Sequence, residues 1–306
     1  MSNPNVTIAN APISWGAFEL TVGVLDSVPD ADRLLDLLVE ADFHGVDLGP
    51  VGFFGRGDVL HRSLASRGLG LAGGYIELPF SDHDRLEATF PELDHLLDAF
   101  DEAGALSGPR PRPTIADAGA PHRRSHPGRS ANDRSLGLDD AAWKRWAVGM
   151  ARTIERCRTR GYEPTLHPET GTYIEAPWEI DRALELTEIG LCLETGHQAI
   201  GGGDPFESMQ RWGDRINHVH VKDAKLHVMS RIIADEMPVE SIWSERAFCA
   251  LGEGDVRVDE ILSGLDTIGY TGWLVVEQDI MPGPGDPDAA QAAQHANRKV
   301  LAAHGF

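Results

Sequence analysis

Residues 190–223 read GLCLETGHQAIGGGDPFESMQRWGDRINHVHVKD, and this stretch contains a complete strand–helix–strand unit. An apolar run leads to Glu194, an amphipathic segment covers 204–212, and a second apolar run leads to Asp223. Strands that are joined through a helix run parallel in one sheet, and the connection between them is right-handed. The carboxyl ends of both strands therefore meet at one edge of the sheet, and both strands carry polar side chains there.

The same alternation of strand and helix extends over the rest of the chain. Short apolar runs that suit buried strands lie at 6–13, 44–49, 69–78, 112–119, 163–169, 190–196, 216–223 and 272–279. Amphipathic stretches predict helices at 30–41, 58–67, 82–103, 139–159, 177–187, 204–212, 257–268 and 286–303. Eight strand–helix units in alternation predict an α/β fold, the (β/α)8 TIM barrel. An open, doubly wound sheet is the alternative, but no GxGxxG motif follows the first strand.

The length and charge of the chain narrow the expectations further. We predict a single domain over 1–306, with long loops at 104–137 and 224–252. The second loop begins at the richest polar cluster in the chain, which favours a functional role for it. The basic segment 122–134 could bind a substrate phosphate or be solvated, and we expect it to be solvated. With 27 basic and 48 acidic residues, the net charge of −21 argues against nucleic acid and membranes as partners.

The cysteines and the N-terminal sequence bear on the cellular compartment. Cys157, Cys192 and Cys249 form no CxxC motif, so neither a disulfide framework nor a cysteine zinc site is indicated. The first residues lack the basic and apolar blocks of a secretory signal, and no apolar run approaches the length of a membrane helix. These features predict a cytoplasmic protein.

Four consecutive strands end in side chains that commonly bind metal ions. Glu169, Glu194, His220 and Glu277 occupy comparable positions at the ends of the predicted fifth to eighth strands. Three carboxylates at one mouth would repel one another without a cation, and this ligand set suits Mn²⁺, Mg²⁺ or Co²⁺. The alternative is a network of salt bridges with Lys222. His218 lies on the same face of its strand as His220 but one layer deeper, so we expect His220 to be the ligand.

Other polar and aromatic residues near these strand ends are candidates for contacts with a substrate. His197 follows Glu194 closely and could contact substrate or supply a proton. Trp15 and Phe18, after the first strand, could form an apolar wall for a sugar. Further candidates, by position, are His167, Lys222, Asp223, Glu77 and Asp117.

Several motifs in order resemble one known family. SWG (14–16), HPETGTYIE (167–175), ETGH (194–197), GGGDP (201–205), HVHVKD (218–223), LGEGDV (251–256) and GWLVVEQD (272–279) are similar to motifs of the xylose isomerase-like barrels of the sugar phosphate isomerase/epimerase group. Within that group the likeness is greatest to inosose (2-keto-myo-inositol) dehydratases, and it covers nearly the whole chain.

The resemblance implies a Glu–Asp–His–Glu metal set, which falls on Glu169, Glu194, His220 and Glu277. Two positions depart from the family pattern. Glu194 stands where the family usually has aspartate, so its carboxylate lies one methylene further out. The dehydratase-like branch often has His-Pro-His on the fifth strand, whereas this chain has His-Pro-Glu at 167–169, which is closer to isomerases and epimerases.

The function that the resemblance implies is the metal-dependent removal of water from a keto-cyclitol in myo-inositol catabolism. The reaction would begin with proton abstraction next to a metal-bound carbonyl, with Glu169 and Glu277 as the family-type base pair and His197 as a further catalytic candidate. The ion would be Mn²⁺, Co²⁺ or Mg²⁺, with Zn²⁺ as a further candidate. Two alternatives stand: a sugar isomerase or epimerase that acts on a ketose, and a non-catalytic sugar-binding barrel. The expected partner is a small polyol ketone or sugar, and a homo-oligomer is compatible with the fold.

Overall fold

The computed structural model describes residues 5–281 and 286–306. Its main sheet consists of β1 (Val6–Asn10), β2 (Gly45–Val46), β3 (Gly70–Leu71), β4 (Gly73–Leu78), β5 (Arg112–Asp117), β6 (Thr165–Leu166), β7 (Gly190–Glu194), β8 (Ile216–Val221) and β11 (Gly272–Val276). Neighbouring strands run parallel in the order β3-β2-β1-β11-β8-β7-β6-β5-β4. Two short strands, β9 (Asp223–Ala224) and β10 (Phe248–Cys249), form a separate antiparallel pair.

The sheet closes into a barrel within the predicted strand 69–78. This strand forms in two pieces: β3 pairs with β2, and β4 pairs with β5. Ala72, between the pieces, joins both sides, because its N–H donates to Val46 at 2.9 Å and its carbonyl accepts from the Arg112 N–H at 3.1 Å. The strand thus begins against one neighbour and ends against the other. The predicted TIM barrel is confirmed, and the open sheet is excluded.

The described residues form twelve α-helices. They are α1 (Ala31–Glu40), α2 (Asp58–Ala65), α3 (His83–Ala103), α4 (Pro121–Arg124), α5 (Asp140–Thr159), α6 (Pro177–Leu186), α7 (Thr195–Ile200), α8 (Pro205–Trp212), α9 (Leu226–Ala234), α10 (Ser241–Ser244), α11 (Val258–Gly264) and α12 (Asp286–Ala303). Eight of them correspond to the predicted helices. Aspartates at 30, 82, 139 and 204 cap four of these by accepting backbone N–H groups in the first turn, which explains where those helices begin.

The two long connections contain more structure than the sequence predicted. The segment 104–137 includes α4, and 224–252 includes α9, α10 and the β9–β10 pair. The prediction that 122–134 is solvated is wrong for Arg123, whose side chain is fully buried and forms ion pairs with Glu175 and Glu179. The sequence around Arg123 shows only basic and small residues, and its acidic partners lie some fifty positions further along the chain.

The barrel orients the residues that follow its strands. Leu34, Leu35, Leu37 and Leu38 of α1 are buried in the main hydrophobic core, and the other long helices bury apolar residues in the same core. Side chains alternate along each strand, so every second residue points into the barrel and the last such residue reaches its carboxyl-terminal mouth. Over the described part of the chain, no helix combines the length and apolarity that a membrane span requires.

Candidate active site

A cavity of about 320 Å³ lies at the carboxyl-terminal mouth of the barrel. Strand ends supply its polar floor, and the loop after β1 and the segment 224–252 supply parts of its wall. The residues that line it include Phe18, Asp47, Tyr75, Glu77, Arg124, His167, Glu169, His197, Lys222, Trp243, Glu277 and Asp279. Ligand sites of parallel barrels lie at this end, so the cavity is the candidate active site.

Four side chains form a compact group, which we call the mouth group: His167 and Glu277, which line the cavity, and the buried Glu194 and His220. Each offers one nitrogen or oxygen, and these atoms all lie within 4.8 Å of one another. Nδ1 of His220 lies 3.4 Å from Oε2 of Glu194 and 3.2 Å from Oε2 of Glu277. Nε2 of His167 lies 3.5 Å from the same Glu194 oxygen.

Three of the four predicted metal ligands thus come together, and His167 completes their group. Glu169, the fourth, lies beside it: its oxygens are 3.3 Å from Nδ1 of His167 and 3.2 Å from Nε2 of His197. The reason is the alternation of the strand. His167 and Glu169 point the same way after β6, but His167 is the deeper of the two.

The two oxygens of Glu194 have different surroundings. Oε1 accepts the backbone N–H groups of Gly196 and His197 at 3.1 and 3.4 Å and so caps α7, which starts directly after β7. Oε2 is buried and has no hydrogen-bond partner among the described residues, and the same holds for both ring nitrogens of His220. Buried polar atoms without partners are uncommon in folded proteins.

Lys222 is the buried cation that faces this acidic floor. Its ammonium lies 3.0 Å from Oε2 of Glu277 and 2.8 Å from Oδ1 of Asp279, and 4.8 Å from the centre of the Phe248 ring. Burial lowers the pKa of Lys222, but Asp279 and the nearby glutamates together have the larger, opposite effect. The pKa of Lys222 is therefore well above its usual value. The side chain is therefore charged and is held in place by the carboxylates.

The carboxylates outnumber this cation. Burial raises the pKa of Asp47 to about 7 and that of Glu169 to about 8, which reflects carboxylates that lack sufficient positive charge nearby. For Asp279, burial raises the pKa, but Lys222 and His197 together outweigh it and lower the pKa to about 2. Excess negative charge and unpartnered oxygen and nitrogen donors fit a divalent cation in the mouth group.

His197 is held by contacts on both sides of its ring. Nδ1 lies 2.9 Å from the Thr170 hydroxyl, and Nε2 faces Glu169 at 3.2 Å and Asp279 at 3.7 Å. Burial lowers the pKa of His197, but Glu169, Asp279 and Glu194 together more than offset this and raise it above its usual value. The ring borders the cavity, packs against Phe248, and can carry a proton there.

The remaining predicted contacts divide into two sets. Trp15 is buried and donates to Oδ1 of Asn10 at 2.8 Å, and Asp223 accepts the N–H groups of Gly252 and Gly254. Neither is among the described residues that line the cavity, and the same is true of Asp117. Phe18, Glu77, His167, His197 and Lys222 do line it.

Several residues that line the site were not predicted from the sequence, and Asp279 and Trp243 are two of them. Asp279 lies two positions after Glu277 and so points to the same side, a signal that the motif GWLVVEQD contained. Trp243 comes from the segment 224–252, and its Nε1 donates to Oδ2 of Asp279 at 3.2 Å. No local pattern places Trp243 at the mouth, because its position depends on how the insertion folds over the barrel.

The fold and the cavity together define an α/β-barrel protein whose mouth group could hold a metal ion. A family model described as the xylose isomerase-like TIM barrel matches residues 35–299, and the chain belongs to this family. An inosose dehydratase from Geobacillus kaustophilus is 27% identical over an alignment that covers 96% of this chain and 94% of that protein. The rhizopine catabolism protein MocC of Rhizobium meliloti is 29% identical, with coverages of 99% and 90%.

Solved structures share the fold at lower sequence identity. An L-ribulose 3-epimerase superimposes with a TM-score of 0.66 at 17% identity, covering 98% of this chain and 94% of the epimerase. The IOLI protein, solved with a bound zinc atom, gives a TM-score of 0.65 at 12% identity, with 98% of each chain covered. The relatives and neighbours include dehydratases and epimerases, and the chain is an enzyme of this type.

Proposed function

We propose that this enzyme is a metal-dependent lyase that removes water from a keto-cyclitol, as an inosose dehydratase does. The mouth group carries the proposal, because its buried, unpartnered ligand atoms lie next to a cavity of suitable size for a six-membered ring, which His167 and Glu277 of this group line. The inosose dehydratase relatives, which match over nearly their full length, favour this substrate class. The acidic cavity also disfavours phosphorylated sugars.

Glu194, His220 and Glu277 would hold the ion, and His167 would take the fourth position. When bound, the ion draws electron density from the substrate carbonyl and so acidifies the neighbouring C–H group. Glu169, predicted as a ligand and as a base, is left free to act as the base, because it borders both the mouth group and the cavity. Mn²⁺, Co²⁺ and Zn²⁺ all suit two imidazoles and two carboxylates.

Proton movements follow from the contacts around Glu169. Its carboxylate takes the proton from the carbon next to the carbonyl, and the electron pair left behind expels the hydroxyl group on the next carbon. That hydroxyl leaves as water after His197 protonates it. The 3.2 Å contact between Glu169 and His197 lets the abstracted proton return to the imidazole, so the pair is ready for another cycle.

The other cavity residues would bind and orient the substrate. Lys222 neutralises Glu277 and Asp279, and keeps their oxygens in fixed positions. Phe18 and Trp243 offer apolar surfaces for the C–H face of the ring, and Glu77 and Tyr75 offer polar atoms for hydroxyl groups. Enclosure of the ring between these walls would exclude water from the reacting carbons.

The test is incubation of the metal-loaded enzyme with scyllo-inosose. Loss of water gives a conjugated product, and we expect a new ultraviolet absorbance that disappears after metal removal and returns when Mn²⁺ or Co²⁺ is added. A sugar epimerase is the second candidate, because Glu169 and Glu277 both border the cavity and could exchange a proton on two faces of a substrate. No absorbance change, together with interconversion of ketohexoses, would replace the lyase by the epimerase.

A further inference from the structure

A second group of potential ligands lies beneath the mouth group. Asp47 follows β2, and His218 and His220 share the inner face of β8; we call these three residues the lower group. One ligand atom from each lies within 4.8 Å of the others, and all three side chains are buried. His220 belongs to both groups.

Five of the six polar side-chain atoms of the lower group have no hydrogen-bond partner among the described residues. Neither nitrogen of His218 has a hydrogen-bond partner anywhere in 5–281 or 286–306, although the residue is 0% exposed. The same is true of Oδ1 of Asp47. An imidazole with both nitrogens unpaired in a protein interior is costly, and such groups are normally satisfied by a protein atom, a water molecule or an ion.

The spacing of the atoms favours an ion. Oδ2 of Asp47 lies 3.5 Å from Nε2 of His220, which is long for a hydrogen bond and matches the 3.2 to 3.5 Å separations in the mouth group. Ligands at 2.0 to 2.1 Å from a tetrahedral cation lie about 3.4 Å from one another. Two imidazoles and one carboxylate with open positions are a set that binds Zn²⁺, Co²⁺ or Fe²⁺.

We propose that Asp47, His218 and His220 form a second cation site, deeper in the barrel than the first. The two ring nitrogens of His220 serve different positions: Nδ1 faces Glu194 and Glu277, and Nε2 faces Asp47. When both positions fill, the ring bridges the two ions and its remaining proton passes to solvent. Asp47 also borders the cavity, which gives the second ion a path of entry. The site does not depend on which substrate the enzyme takes.

The experiment counts ions. The full-length protein is stripped with a chelator, reloaded with Zn²⁺, freed of excess ion and analysed for zinc and protein, and crystals are examined for anomalous scattering at the zinc edge. Wild type should hold two ions per chain, with two peaks that flank His220. His218→Leu, which changes only the lower group, should hold one, as should Asp47→Asn. His227→Leu, at an exposed position on α9, is the matched control and should hold two.

One ion per wild-type chain, or two retained in His218→Leu, would overturn the proposal. If His218→Leu does not fold, the wild-type count and Asp47→Asn decide the question. The proposed function can fail separately: two ions without turnover of scyllo-inosose would leave this site in place and remove the lyase. One ion per chain together with full turnover of scyllo-inosose would remove the second site and support the lyase.

Discussion

Two buried clusters of carboxylates, one around Arg123 and the other the mouth group, differ in how their negative charges are compensated. In the first, which we call the arginine cluster, Arg123 lies between Glu175 and Glu179. Oε2 of Glu175 accepts from Arg123 at 3.0 Å and from the Ser130 hydroxyl at 2.9 Å, and its Oε1 accepts two backbone N–H groups at 2.7 and 2.9 Å. In the mouth group, the nearest donors and acceptors are 3.2 to 3.5 Å apart.

The difference in these distances suggests different roles for the two clusters: one stabilises the fold, and the other is suited to binding a ligand. The arginine cluster is held by short, direct hydrogen bonds that join α4 to the start of α6, although Nε and Nη1 of Arg123 and Oε1 of Glu179 have no hydrogen-bond partner among the described residues. The mouth group has longer separations between its polar atoms, and one ligand atom from each of its four side chains lies within 4.8 Å of the others. These longer separations are what we expect if the mouth group holds an ion, as proposed above.

The largest expected effect comes from the mouth group. Glu277→Gln removes one carboxylate from the proposed ligand set at nearly constant volume, and turnover of scyllo-inosose should fall by more than about 10³-fold while the fold remains intact. The measurements are the rate of the ultraviolet change and the circular dichroism melting curve. Glu240→Gln, an exposed glutamate that also lines the cavity, is the control and should stay within a few fold. Wild-type rates in Glu277→Gln would remove Glu277 from the mechanism.

The arginine cluster should respond in stability. Arg123→Met removes the cation and leaves two buried carboxylates without it, so we expect a loss of about 3 to 5 kcal/mol in the free energy of unfolding. Urea denaturation measures this, with Arg62→Met as the control. Arg62 is largely exposed, and its 3.9 Å pair with Asp58 should contribute less than about 0.5 kcal/mol. A loss below about 1 kcal/mol in Arg123→Met would mean that the cluster does not hold this region together.

A smaller effect concerns Asp117, a buried carboxylate near the arginine cluster. Burial raises its pKa to about 6 from 3.8, despite hydrogen bonds from the Gly119 N–H and Trp146 Nε1. The folded state therefore binds a proton more tightly than the unfolded state, and the stability gained from protonation is lost as the pH rises from about 4 through 6. Between pH 5 and 7.5 this amounts to about 1 to 1.5 kcal/mol.

Asp117→Asn isolates that contribution, because the amide cannot titrate. The difference in unfolding free energy between wild type and variant should shift in favour of the variant by this amount as the pH rises from 5 to 7.5. Urea titrations at several pH values measure the shift. A pH-independent difference would show that Asp117 remains ionised in the fold.

The barrel could be predicted from the sequence because the alternation of short apolar runs and amphipathic stretches is nearly free of exceptions. Local periodicity also placed Glu194, His220 and Glu277 at the mouth. Local periodicity predicted His167 only as a substrate contact. It could not show which residue of the His-Pro-Glu turn lies at the depth of Glu194, because the length of β6 decides this. That length depends on pairing with neighbouring strands.

Local sequence patterns did not predict the contacts between segments that are distant in the sequence. Trp15 was expected at the cavity wall, yet a hydrogen bond to Asn10 holds it in the interior. Asp223, at the end of a polar motif, instead organises the backbone at 252–256. Arg123 was predicted to be solvated because no nearby sequence pattern indicates that it pairs with Glu175 and Glu179. In each case the partner is set by packing that the one-dimensional pattern does not contain.

The capping role of Glu194 has a consequence for ion selectivity. Oε1 is engaged by the first turn of α7, so only Oε2 is free to face the mouth group. Large cations such as Ca²⁺ favour six to eight oxygens and often take both oxygens of a carboxylate. To grip such an ion, Glu194 would have to give up its hold on the helix. If the mouth group binds an ion as proposed, the start of α7 would therefore favour small divalent ions over calcium.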